Sequence, residues 1–188
     1  MYKLCKTEQS ARRQRQLEDG LLQAMLNQRY EDISISDLCT NIQIPRKAFY
    51  RYFSSKDGAL FALVDHTLME FEQFQNSRSR GKSKPSVDLE RYFVFWQKHE
   101  DLLVAMEKSH LIDLLLERII AHALNEGMIP FPRISAESMQ PMALTFVICG
   151  LFFMMLRWHR EGFAQSTQDM VIAALDLLSK PLIPSVTE

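Results

Sequence analysis

Apolar residues recur every three or four positions along most of this chain, which places them on one face of an α-helix. Leu17, Leu21 and Met25 follow this spacing in a predicted first helix from Ser10 to Asn27. Few segments alternate between apolar and polar residues as a half-buried strand would, and the 188 residues include only six glycines. The pattern therefore predicts an all-α protein with about nine helices.

Residues 34–53 predict two short helices joined by a tight turn. Ser34 and Asp37 form a capping box at the start of the first helix, and residues 41–44 form the turn. Pro45 stands where the second helix begins, a position that tolerates the absence of a backbone N–H. This arrangement is a helix-turn-helix, a motif whose second helix enters the major groove of DNA in the proteins that use it.

Serine residues also mark the predicted starts of later helices. Ser54 and Asp57 form a capping box for a long fourth helix, and Ser86 is predicted to cap the fifth. Ser166 and Asp169 form a capping box for the last helix. The chain thus continues as helices well beyond the helix-turn-helix.

The segment Phe49–Asp57, which reads FYRYFSSKD, resembles the signature of the TetR family of bacterial transcriptional regulators. Arg29–Leu38 is similar to the segment that joins the first two helices of that family. The family usually has Gly where this chain has Gln43, and Ser or Thr where it has Pro45. The resemblance implies an N-terminal three-helix DNA-binding domain followed by a helical ligand-binding and dimerisation domain.

The net charge of −1 hides an asymmetry between the two ends of the chain. Residues 1–56 hold ten Lys and Arg against six Asp and Glu, which gives +4. Residues 57–188 hold twelve against seventeen, which gives −5. The basic end contains the helix-turn-helix, as expected of a module that neutralises phosphates. We therefore predict a DNA-binding domain at 1–56 and a regulatory and dimerisation domain at 57–188.

The predicted recognition helix carries cations and a phenol, while Phe49 and Phe53 are expected to point inward. Arginine can bind guanine through two hydrogen bonds, and a tyrosine hydroxyl commonly meets a phosphate. The other interpretation is an exposed charged face on a helical hairpin that binds no DNA. The candidate contacts on this helix are Arg46, Lys47, Tyr50 and Arg51.

Three more cations are candidates for contacts with DNA phosphates. Arg12 and Arg13 stand at the start of the first helix, where positive charge opposes the helix dipole. A partner anion explains them better than helix stability does, although a solvated face is the alternative. Lys56 lies at the start of the fourth helix, where backbone donors and the dipole favour an anion.

The second part of the chain is rich in Phe, Met and Trp, which line many apolar ligand pockets. The TetR resemblance implies an inducer pocket there, and an ordinary helical core is the alternative. A polar group on an apolar face must find a partner, and several candidates are chosen because they are polar groups of this kind. The candidate ligand-binding residues are Tyr92, Trp96, His110, Asp113, Glu117 and Phe146.

The last two predicted helices, 135–161 and 167–180, are apolar on more than one face. Leu151, Met155 and Leu175 belong to these wide apolar stripes. A two-fold packing of four helices would bury the excess face in a homodimer, as the resemblance also implies. Deep burial within one subunit is the alternative.

Several classes of protein are disfavoured by the sequence. The longest apolar run, Met142–Leu156, is about 15 residues, which is shorter than the ~20 that a membrane span needs. The three cysteines are widely spaced and indicate a reducing cytoplasm, and no secretory signal is recognised. The histidines lack metal-site spacing, and no nucleophile elbow or Gly-rich phosphate loop is present. We therefore expect no membrane span, no metal, no cofactor and no catalytic residues.

These observations predict a cytoplasmic, homodimeric repressor that binds a double-stranded DNA operator. A small hydrophobic effector would release it by favouring a different spacing of the two recognition helices. The alternative is a DNA-binding dimer whose helical body recruits a protein partner and senses no small molecule.

Overall fold

The computed structural model describes residues 2, 5, 7–77, 84–126 and 141–179. Over these residues the chain forms nine α-helices, and a 3₁₀ turn at Tyr30–Asp32 joins the first two. The all-α prediction is therefore confirmed. The helices are α1 Glu8–Asn27, α2 Ile35–Asn41, α3 Arg46–Tyr52, α4 Lys56–Asn76, α5 Pro85–Lys98, α6 Glu100–Lys108, α7 Ile112–Glu126, α8 Pro141–Arg160 and α9 Thr167–Ser179.

Two predicted helix starts are confirmed by their hydrogen bonds. The Ser34 side chain accepts from the Asp37 N–H at 3.0 Å and so caps α2. At α9, Ser166 Oγ accepts from the Asp169 N–H at 3.1 Å, and Asp169 Oδ2 accepts from the Ser166 N–H at 3.2 Å. These bonds satisfy backbone donors that have no partner inside the helix.

The starts of α4 and α5 differ from the prediction. At α4 the Ser55 Oγ accepts from the Gly58 N–H at 3.1 Å, so Ser55 caps this helix, one residue after the predicted Ser54. Helix α5 begins one residue before Ser86, with Pro85 in its first turn. Proline fits there because the first helical N–H has no partner inside the helix.

The chain divides into two compact units, one made of residues 1–69 and 101–118 and the other of 70–100 and 119–188. This division differs from the predicted boundary at residue 56. The physical reason is that the last residue of α6 and the residue after it bind the end of α1 and the 3₁₀ turn that follows α1. Lys108 Nζ donates to the Leu26 carbonyl at 2.8 Å, and the Tyr30 N–H donates to Ser109 Oγ at 3.0 Å.

The first unit has a core shared by the three N-terminal helices and α4. Leu21 of α1, Leu38 of α2, Phe49 of α3 and Leu60 of α4 are all buried. Helices α1 and α2 approach closely at Gly20, where an added Cβ would lie 2.6 Å from Ile42 Cγ2. This packing fixes the orientation of α2, which in turn supports α3.

A polar cluster in the same unit joins the N-terminal arm, α4 and the first half of α7. The Tyr2 hydroxyl donates to Asp65 Oδ2 at 2.8 Å, and Arg118 Nε donates to Asp65 Oδ1 at 2.7 Å. Burial, together with the bond to Asp65, raises the pKa of Tyr2 to about 12. The Arg118 guanidinium carbon also lies 4.8 Å from the centre of the Phe61 ring. Charge and aromatic packing thus fix the start of α7 in this unit.

In the second unit α5 packs against α8 and α9. Phe93 of α5 meets Trp158 of α8 edge to face, with ring centres 5.7 Å apart. The Trp158 indole N–H donates to the Gln165 carbonyl at 2.9 Å, just before α9 begins. Gly162, two residues after the end of α8, has φ of +65°. The left-handed conformation suits a residue without Cβ at a helix end.

One segment of the described chain, Met142–Arg160, is long and apolar enough to cross a membrane by length and composition. It is longer than the apolar run predicted from the sequence. A core helix of a soluble protein passes the same test, so a single such segment is weak evidence for a membrane span. The side chains of Leu151, Met155 and Leu156 within it are buried inside this chain.

Candidate nucleic-acid interface

Helix α3 presents a charged face to solvent because Phe49, and Phe53 directly after the helix, anchor the opposite face. Phe49 and Phe53 are buried, with ring centres 5.1 Å apart. Arg46, Lys47 and Arg51 are exposed. This arrangement follows from the helical period, which turns residues four apart to the same side.

Arg46 and Tyr50 form a pair on the exposed face of α3. Arg46 Nη2 donates to the Tyr50 hydroxyl at 3.2 Å, and the guanidinium carbon lies 5.6 Å from the ring centre. The hydrogen bond from Arg46 raises the pKa of its guanidinium. Because only one of the five guanidinium N–H groups is needed for this bond, the others remain able to bind a base edge or a phosphate.

A surface groove between α1 and α3 brings together cations that are far apart in the sequence. Its lining includes Arg13 of α1 and Lys47 and Arg51 of α3, together with Pro45 and Tyr52. Three cations around one groove form a suitable environment for the phosphates of a DNA strand. The structure therefore places Arg13 beside α3.

Arg12 points to a different environment from its neighbour Arg13. Its Nη2 lies 2.6 Å from Glu8 Oε1, and both side chains are about four-fifths exposed, at 78% and 80%. Such an exposed pair contributes little to stability, about 0–1 kcal/mol. A phosphate could therefore replace Glu8 as the partner of Arg12 at small cost.

A second groove follows the turn of the helix-turn-helix. Ser36, Thr40 and Gln43 line it together with Arg46. The sequence pattern did not predict the first three residues as candidate contacts. Ser36 and Thr40 are exposed and four residues apart on α2, and the first helix of this motif crosses the DNA backbone. Their spacing is the signal that would have identified them.

Gln43 adopts the conformation that the usual glycine of this turn would provide. Its φ is +55°, in the left-handed region that is unfavourable for residues with a Cβ. The Gln43 N–H donates to the Thr40 carbonyl at 3.1 Å, and the Ile44 N–H donates to the Cys39 carbonyl at 2.9 Å. The turn therefore keeps its hydrogen bonds without glycine.

Lys56 lies in an environment different from the predicted phosphate site. Its ammonium donates to the carbonyls of Tyr30, Glu31 and Ile33 at 2.6, 3.2 and 2.7 Å. It also lies 4.3 Å from the centre of the Tyr30 ring. These contacts use the N–H donors of the ammonium group that the sequence predicted to bind a DNA phosphate.

The six predicted ligand-binding residues fall into different environments. Tyr92 and Trp96 are buried in the unit that contains α5. His110 is exposed in the turn after α6, where its φ of +56° ends that helix. His110 therefore lies at the protein surface and not in an enclosed apolar site.

The other three candidates are also exposed. Asp113 and Glu117, four residues apart, share an exposed face of α7. Phe146 of α8 is 66% exposed. Among the six, only Tyr92 and Trp96 are therefore in the apolar surroundings that the prediction assigned to the set.

An apolar stripe on α8 is exposed, but it is not the one predicted. Leu151 and Met155 are buried inside the chain, at 4% and 0% exposure. Met142, Phe146 and Phe153 are exposed by 80%, 66% and 49%. Burial within one subunit therefore holds for Leu151 and Met155, while a different face of the same helix is exposed.

Two solved structures share this fold over nearly the whole chain. One is the fatty acid degradation regulator FadR from Bacillus halodurans, with a TM-score of 0.62 and 14% sequence identity, over 95% of this chain and 98% of that one. The other is the transcriptional regulator FadR from Bacillus subtilis in complex with stearoyl-CoA. Its TM-score is 0.60 at 15% identity, over 87% of this chain and 96% of that one. No protein-family model matches this chain, and no curated protein matches its sequence.

Proposed function

We propose that this protein is a DNA-binding transcriptional regulator, and specifically a repressor that a small hydrophobic ligand releases from its operator. The observation that carries the proposal is the exposed cationic face of α3 beside the groove lined by Arg13, Lys47 and Arg51. The fold shared with two transcriptional regulators supports it. No catalytic role is part of this proposal.

In the proposed complex Arg46 and Tyr50 meet the edges of bases in the major groove. Lys47, Arg51 and Arg13 bind the phosphates that border it. Phosphate contacts fix the position of the protein, and base contacts select the sequence. Substitution of a base-contacting residue should therefore change sequence specificity, and substitution of a phosphate-contacting residue should weaken binding to all sequences.

A homodimer would place two recognition helices on successive turns of DNA, about 34–36 Å apart. The exposed apolar residues of α8, namely Met142, Phe146 and Phe153, support pairing with a second copy. Ile172 and Leu177 of α9 are also exposed, by 53% and 51%. Apolar stripes of this kind on adjacent helices suit a two-fold packing of four helices.

The proposed effector binds the helical body and favours a spacing of the two heads that does not fit the operator. A ligand shifts such an equilibrium only by its difference in affinity for the two states. Because one structure with this fold holds stearoyl-CoA, long-chain acyl thioesters are the first class to test. The proposal places both the regulator and such metabolites in the cytoplasm.

The experiment begins with DNA selected by the purified protein from a random pool. Replacing Arg46 and Lys47 by Ala should reduce affinity for the selected operator to that for unrelated DNA. The dependence of log K on log salt should also fall by about 0.9 for each phosphate contact removed. Lys98→Ala, at the exposed end of α5, is the matched control and should change neither quantity.

Unchanged operator affinity in the double variant would refute the assignment of α3 as the recognition helix. A separate measurement tests the effector. Acyl thioesters that bind only the folded protein should raise its melting temperature and release the selected DNA. Stabilisation without release would show a ligand site that does not regulate DNA binding.

A further inference from the structure

The Lys56 ammonium is enclosed by backbone carbonyls of the segment between α1 and α2. Nζ lies 2.6 Å from the Tyr30 oxygen, 3.2 Å from the Glu31 oxygen and 2.7 Å from the Ile33 oxygen. A lysine ammonium has three N–H donors and no acceptor. The three carbonyls therefore use its complete hydrogen-bonding capacity, and none remains for a phosphate.

The charges near Lys56 also disfavour a DNA phosphate. Burial lowers the pKa of Lys56, and attraction to Asp57, Asp32 and Glu31 opposes that shift. A phosphate that approached this cation would meet three carboxylates around it. Because like charges repel, these carboxylates disfavour an external anion beside Lys56.

We propose that Lys56 is a positioning residue that holds the helix-turn-helix in its DNA-binding orientation and makes no contact with DNA. The inference rests on the proposed function. The Ile33 carbonyl that Lys56 binds directly precedes Ser34, whose side chain caps α2. Helix α2 packs against α3, so a displaced Ile33 moves the recognition helix.

The segment held by Lys56 is also fixed through Tyr30. The Tyr30 hydroxyl donates to Asp57 Oδ1 at 2.6 Å, and its backbone N–H donates to Ser109 Oγ at 3.0 Å. Burial and the bond to Asp57 raise the pKa of the Tyr30 hydroxyl, which keeps it a donor. Lys56 and Asp57, consecutive in α4, therefore act on the same segment through its carbonyls and through its ring.

The central test compares two substitutions of Lys56 in the full chain, on DNA selected by the unaltered protein. Lys56→Met keeps the apolar stem and removes all donors. Lys56→Arg keeps the charge, but its planar fork cannot reach three converging carbonyls. A positioning role predicts that both variants lose affinity by about tenfold. A phosphate contact predicts that Lys56→Arg retains affinity, because arginine binds phosphate well, and this result would overturn the proposal.

Salt dependence provides the second discrimination. Lys56→Met should leave the slope of log K against log salt unchanged, whereas Lys47→Met should reduce its magnitude by about 0.9. Lys47 lines the groove beside α3 and serves as the matched lysine. An equal reduction in both variants would show that Lys56 meets a phosphate and would refute the inference.

Amide hydrogen exchange tests the inference without DNA. In Lys56→Met the amides of residues 33–41 should exchange faster, while those of α5 should not change. Exchange identical to that of the unaltered protein would overturn the proposal. If Lys56→Met does not fold, the same amides are compared between Lys56→Arg and the unaltered protein. A protein that selects no DNA refutes the proposed function, and the exchange result then still decides whether Lys56 holds the segment.

Discussion

Replacement of Gln43 by Gly should stabilise this protein, although glycine usually weakens a chain. Gln43 has φ of +55° in the helix-turn-helix turn. That conformation is unfavourable for a residue with a Cβ by about 1–2 kcal/mol. Glycine avoids this strain but loses about 0.5–1 kcal/mol more backbone entropy on folding. The balance predicts a gain of roughly 0.5–1 kcal/mol, which corresponds to about 1–4 °C in Tm.

The other contributions to this balance are small. Gln43 is exposed, and the hydrogen bonds of the turn run between backbone atoms of Gln43 and Thr40 and of Ile44 and Cys39. Glycine therefore keeps both bonds. The change in stability isolates the backbone conformation at one position.

The assay is thermal unfolding followed by circular dichroism, at one protein concentration because dimer formation affects Tm. Gln23→Gly is the matched control, since Gln23 is exposed inside helix α1. There the same substitution should destabilise by about 1 kcal/mol. A similar loss of Tm in both variants would refute the reasoning from the left-handed conformation.

Three further substitutions test the close contact at Gly20, the exposed face of α8 and the Arg118–Asp65 pair. Gly20→Ala should lower Tm, because the added Cβ would lie 2.6 Å from Ile42 Cγ2. Overpacking of this kind destabilises by about 1–3 kcal/mol, against a gain in helix propensity of about 1 kcal/mol. An increase in Tm would contradict this reasoning. Phe153→Glu should give folded monomers in sedimentation velocity, and an intact dimer would exclude the exposed face of α8 as the interface. Arg118→Gln removes the charge-assisted hydrogen bonds to Asp65 and should lower the free energy of unfolding, measured in urea, by about 1 kcal/mol. An unchanged free energy would show that the pair contributes nothing to stability.

The features that the sequence predicted correctly depend on residues close together in the chain. The capping bond from the Asp37 N–H to Ser34 spans three residues, and Phe49 and Phe53 share a face through one helical turn. Local hydrogen bonding and helical period are sufficient for such predictions. The sequence was therefore sufficient to predict α3 and its exposed cations.

The features that were missed depend on contacts between distant segments. Lys56 stands at a helix start that would suit an anion, but its partners lie 23 to 26 residues earlier in the chain. Helical period groups Leu151 with Met155 and separates both from Phe153, yet it does not say which face packs on α5 and α9. Only the tertiary arrangement shows that Leu151 is buried while Phe153 is 49% exposed.

The hydrogen bonds that join the end of α6 to α1 and to the 3₁₀ turn after it limit which segment could be transferred to another protein. Lys108 and Ser109 bind partners 82 and 79 residues earlier in the chain. A chimaera that joined residues 1–69 to a foreign effector body would leave the Tyr30 N–H and the Leu26 carbonyl without these partners. A graft of the first compact unit must therefore also carry residues 101–118, so the transferable unit is discontinuous in sequence.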